Sequence, residues 1–136
     1  MNSNQRITEV AAGVLLRNDG YFLLAQRPAG KVYAGCWEFP GGKLEQGESV
    51  EATLARELNE ELGVTVHTCR RWKTLDYTYP HARVRLFFCR VTVWRGAPIG
   101  REGQAFVWQR LPVEVTPLLP ATQVALGWFQ REPITA

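Results

Sequence analysis

No apolar run in this chain approaches the ~18 residues a membrane-crossing helix needs, so no spanning segment is expected. The opening MNSNQRITEV lacks the apolar centre of a secretory leader. Cysteine is sparse: Cys36, Cys69 and Cys89 stand far apart with no C-x-x-C pair. That excludes a disulfide framework and a zinc cluster, and predicts reduced, mostly buried thiols. Together these absences predict a cytoplasmic protein. Repeats, low-complexity tracts and linkers are missing too, and nothing calls for an oligomer, so a monomer is favoured. Charge of either sign is modest: 16 Lys and Arg against 13 Asp and Glu leave a net +3. That is compatible with an anionic small molecule, but too little for a stripe that grips duplex nucleic acid.

What is present fits one domain spanning residues 1–136, with a single core drawn from a 46% hydrophobic composition. ITEVAAGVLLRNDGYFLLAQRP reads as two strands joined by a turn at Asn18-Asp19-Gly20. AGKVYAGCWEFPGGKLEQGES carries five glycines and a proline, which marks a shaped loop with a short strand at Cys36–Phe39. Ser49 as N-cap and Gly63 as C′ bracket a helix of about Val50–Leu62. Strands are expected near Val64–Leu75, Val84–Trp94 and Ala105–Gln109, and a second helix in ATQVALGWFQ. The predicted class is α+β with a mixed sheet.

The first helix poses a chemical problem. With Glu57 set at 0° and ~100° per residue, Val50, Leu54, Leu58, Leu62 and Ala55 fall between roughly 20° and 160°, a coherent apolar stripe. Glu61 falls at about 40°, on the edge of that stripe, and Glu60 at about −60°. Glu57 and Glu61 are an i,i+4 like-charge pair, which costs a few tenths of a kcal/mol in water and more when half desolvated. Arg56 can pair with Glu60, which leaves the other two uncompensated. A divalent cation would relieve that repulsion, and an all-oxygen donor set points to Mg²⁺ or Mn²⁺.

From Gly42 the chain reads G, five residues, Glu48, seven residues, Arg56-Glu57-Leu58, one residue, Glu60-Glu61, one residue, Gly63-Val64. This resembles the Nudix box at every fixed position, and VAAGVLLRNDGYFLLAQRP, WEFPGGKLEQGES, GREGQAFVW and PLLPA resemble the MutT-type branch of that family. The resemblance implies an α/β/α sandwich around a mixed sheet, and a Mg²⁺-dependent pyrophosphohydrolase acting on nucleoside triphosphates, 8-oxo-dGTP foremost. CTP, a modified dCTP or another (d)NTP is the alternative substrate. A non-catalytic nucleotide-reading module is disfavoured, because the box glutamates are intact.

Carried over residue by residue, the resemblance makes Glu57, Glu60, Glu61 and the Gly41 carbonyl metal ligands, with Glu102 of GREGQ approaching the metals. Glu57 or Glu102 would be the general base. Arg56 would position the glutamates, and Gly42, Glu48 and Gly63 would shape the loop and helix end. Arg27 and Lys43 are candidate phosphate contacts, and Phe39 and Tyr79 candidate base-pocket residues. Trp37 is expected in the core and His81 in a solvated loop. The departure falls at LLPATQ, where Thr122 stands in place of an Asn that reads the oxidised guanine; Ala82 likewise stands where a charged side chain is found. One hydroxyl offers less than an amide's paired donor and acceptor, so weaker discrimination against dGTP is expected.

Overall fold

The computed structural model describes residues 6–132; the leader reading above falls partly on residues outside that range. Among the described residues, seven strands and two helices follow in the order β1 (Ile7–Leu15), β2 (Phe22–Gln26), β3 (Trp37–Glu38), β4 (Gly41–Lys43), α1 (Val50–Leu62), β5 (Thr65–Thr78), β6 (Arg83–Arg95), β7 (Phe106–Gln109) and α2 (Pro120–Arg131). They form two sheets, a four-stranded one ordered β4-β1-β6-β5 and a three-stranded one ordered β3-β2-β7. The mixed character rests on one parallel pair, β1 with β6; the other pairings are antiparallel. Among the described residues no helix is long and apolar enough to cross a membrane.

β1 is apolar on both sides because both sides are covered. Ala11 and Leu15 join Leu54, Leu58 and Leu62 of α1 in one cluster, while Ala12 and Val14 face Phe88 and the α2 residues Ala125 and Phe129 in another. Gly13 lies directly beneath α1, where an added Cβ would sit 3.2 Å from a Leu54 methyl. The helices therefore flank the strands as an α+β sandwich.

α1 has the predicted bounds. The Ser49 hydroxyl accepts the Ala52 N–H at 3.0 Å, and Gly63 takes a left-handed φ of 71° that returns its N–H to the Asn59 carbonyl. Such a cap contributes about 1 kcal/mol.

The Asn18-Asp19-Gly20 turn forms as read, with the Gly20 N–H reaching the Arg17 carbonyl at 3.0 Å, and joins two strands that share a single bridge at Leu16 and Phe22 before entering different sheets. One sequence reading is corrected. The glycine segment is more than a loop with a short strand before it, since Gly41–Lys43 is a strand paired with Val10–Ala12. Glycine weakens strands by propensity, yet here it is required, because a Cβ on Gly41 would overlap the Ala11 carbonyl oxygen.

Candidate active site

The second half of α1 and the loop after β6 bring Glu57, Glu61 and Glu102 against a cavity of about 750 Å³ whose walls also come from β1, β2, β4 and the loops after β2 and β5. Glu57, Glu61 and Glu102 line it together, with Gly41, Gly42 and Lys43 beside them. Gly42 leaves room for the Glu57 carboxylate, which a Cβ at that position would displace.

The electrostatics of the acids are uneven. Burial, then a hydrogen bond shared with Glu57 and the charges of Glu57, Glu102 and Glu38, push the Glu61 carboxyl up to about 9. At neutral pH the Glu61 carboxyl therefore holds a proton. On the outer side, Arg56 Nε and Nη2 each donate to the Glu48 carboxylate at 2.9 Å, the Thr53 hydroxyl donates to it at 2.7 Å and the Glu45 N–H at 3.1 Å. The Arg56 guanidinium, with those two donors, holds Glu48 down to about 2. Arg56 also reaches Glu57 at 3.1 Å and Glu60 at 3.6 Å. The expectation that Arg56 leaves Glu57 uncompensated is thus corrected: it spans Glu48 and Glu57, and Glu61 alone lacks it.

Not every candidate reaches the cavity wall. Glu60 is half exposed beside Arg56 and lies outside the lining. Thr122, 3% exposed in the first turn of α2, is likewise absent from it, so the structure does not bring this residue to the site. Gly63 shapes the helix end. Arg27 lines the cavity with its Nε bound to the Val32 carbonyl at 2.7 Å and its Nη1 to Glu38 at 3.1 Å. Phe39 is 5% exposed and packs against Phe22, Phe88 and Phe129, yet contributes to the wall, as does Tyr79. Trp37 is in the core, as expected. The three cysteines are free, with Cys36 and Cys89 buried and Cys69 half-buried.

Four lining residues escaped the sequence reading. Glu38, between Trp37 and Phe39, is a carboxyl raised by burial and opposed by Arg27; an acid inside an apolar strand was its available signal. Gln104 has a buried Oε1 with no hydrogen-bond partner among the described residues. Tyr33, with φ 60°, and His81 come from separate loops and pack with Tyr79 at centroid distances of 5.2 and 5.5 Å. Nothing in a single sequence brings those loops together. His81 is exposed as expected but belongs to this wall.

The fold and the acidic cavity define a hydrolase of the Nudix class, and the comparisons place the chain there. The NUDIX domain family matches residues 7–131, and the chain belongs to that family. It is 39% identical over 105 residues to an 8-oxo-dGTP diphosphatase of Haemophilus influenzae, covering 77% of each chain. It is 40% identical over 109 residues to a CTP pyrophosphohydrolase of Escherichia coli, covering 76% of each. The solved MutT NUDIX hydrolase from Burkholderia pseudomallei superposes with a TM-score of 0.82 at 27% identity, over 90% of this chain and 98% of that one.

Proposed function

We propose that the chain, as one domain over residues 1–136, hydrolyses nucleoside triphosphates to a monophosphate and pyrophosphate, with 8-oxo-dGTP the preferred substrate, and so clears oxidised guanine nucleotides from the cytoplasm before DNA synthesis. The observation that carries it is the Glu57–Glu61 pair. Two carboxyls stand together with Glu102 at the wall of a cavity large enough for a nucleotide, in a chain of which 77% aligns with an 8-oxo-dGTP diphosphatase.

The donor set suits Mg²⁺, with Mn²⁺ able to substitute: carboxylate oxygens of Glu57, Glu61 and Glu102, the Gly41 carbonyl, and no histidine or cysteine among them. Glu60 joins that set by resemblance, from the rim. A bound cation of this kind would neutralise phosphate oxygens and lower the pKa of water. Glu57 or Glu102 takes the proton of the attacking water, while Arg56 fixes Glu57 in place from the outer side. Lys43 and Arg27 face the phosphates, and Phe39 and Tyr79 the base. No contact with duplex nucleic acid or membrane is part of this reading, and the monomer suffices for it.

Hydrolysis of CTP is the second reading, favoured by the 40% identity to a CTP pyrophosphohydrolase and by the burial of Thr122 away from the cavity. A panel of normal and oxidised (d)NTPs, assayed with Mg²⁺ for pyrophosphate release, separates the two. Release of orthophosphate would refute the class of reaction. In ¹⁸O-water, label should enter pyrophosphate; label in the monophosphate would refute attack at the β-phosphorus.

A further inference from the structure

The first turn of α2 begins without a cap of its own. Leu119 occupies the N-cap position and offers no side-chain acceptor, and Pro120 follows it. The Ala121 N–H, which has no partner within the helix at that position, donates instead to the Tyr79 hydroxyl at 3.2 Å. That bond ties the end of β5 to the start of α2 beside the cavity, whose wall here includes Tyr79, His81, Ala82 and Leu119.

Tyr79 is held from several directions. It is 6% exposed, its ring packs against Tyr33, Tyr77 and His81, and its backbone exchanges hydrogen bonds with Ala82 at 2.8 and 3.3 Å. A phenol has one proton to donate and can accept as well. Its acceptor capacity meets Ala121, and among the described residues its proton has no hydrogen-bond acceptor. Burial raises its pKa to about 12, so the proton stays in place at every working pH.

Resting on the nucleotide reading above, we propose that Tyr79 is the specificity-determining residue for the base: its hydroxyl, fixed by the Ala121 N–H, donates to a ring carbonyl oxygen. Guanine, 8-oxoguanine, hypoxanthine and cytosine carry such an oxygen, whereas adenine does not. The site therefore selects carbonyl-bearing bases through Tyr79, while Thr122 stays out of the contact. A site that spends a buried donor on a substrate group rejects the analogue lacking it, because the donor is then unpaired.

The test compares Tyr79→Phe with the wild type in kcat/KM for 8-oxo-dGTP, dGTP, CTP and dATP. The ratio of each carbonyl-bearing substrate to dATP should fall about 5- to 150-fold, with dATP itself little changed. An unchanged ratio, or an equal loss on all four, would mean that Tyr79 only caps α2. A second measurement needs no variant: calorimetric binding of dGMP, dIMP and dAMP to the wild-type chain. dIMP, which shares the C6 carbonyl but lacks the 2-amino group, should bind like dGMP and more tightly than dAMP. Binding of dIMP no tighter than dAMP overturns the proposal. Absence of any triphosphate hydrolysis by the wild type would instead remove the proposed function, and the monophosphate comparison would still judge Tyr79.

Discussion

Glu48 and Glu61 belong to the same acidic stretch, yet their surroundings drive them in opposite directions. Glu48 accepts from Arg56, Thr53 and the Glu45 N–H and is held down to about 2. Glu61, half-buried beside Glu57 and near Glu102, is pushed up to about 9. One end of the helix is a finished piece of structure whose charges are paired. The other is unfinished in charge, with more acid than its cations can balance. Like charges at a half-buried site raise the cost of folding, so such an arrangement persists where a ligand of opposite charge compensates it.

The contrast should show most in turnover. Glu57→Gln keeps the shape and hydrogen bonding of the side chain but removes its charge and basicity, and should lower kcat by about 10²- to 10⁴-fold with circular dichroism unchanged. Full activity in that variant would place the chemistry elsewhere. Thermal stability should respond next. Saturating Mg²⁺ at 100 times its Kd should stabilise the wild type by about 2.7 kcal/mol, several degrees in Tm, and Glu61→Gln should lose most of that gain.

A smaller effect distinguishes the two acids by pH. The folded-state pKa of Glu61 lies above its unfolded value, so the metal-free protein loses stability as pH climbs from about 4.5 towards 9. That of Glu48 lies below its unfolded value, so its contribution is present above about 4.5 and is lost as pH falls towards 2. Melting curves across both windows should flatten on the alkaline side in Glu61→Gln and on the acid side in Glu48→Gln. The reverse assignment would dissolve the comparison. The least effect is expected from Thr122→Ser, which keeps a hydroxyl at a buried position off the cavity wall; substrate preference should be unchanged when the (d)NTP panel is repeated.

Much of this was legible in the chain. The bounds of α1 could be read because Ser49 and Gly63 act locally, through their own hydrogen bond and φ. The strain between Glu57 and Glu61 could be read because helical spacing converts sequence into geometry. Sheet membership could not. Whether β1 pairs with β2 or with β6 depends on which surfaces α1 and α2 cover, a property of the assembled chain. For the same reason Tyr33, Tyr79 and His81 gave no joint signal, since two separate loops carry them. Gly41–Lys43 was hidden because its glycines are poor strand formers, and the one at 41 is demanded by the close approach to the Ala11 carbonyl. Thr122 is buried in the first turn of α2 and does not line the cavity, and a one-residue match to a motif carries no information about which way its helix faces.

Calorimetric titration of the apoprotein with Mg²⁺ at pH 7, in two buffers of different ionisation enthalpy, tests the central claim most directly. If the Glu57–Glu61 pair is completed by a cation, binding should release about one proton, and Glu61→Gln should abolish that release and weaken the affinity. Absence of binding, or binding without proton release that survives Glu61→Gln, would contradict it.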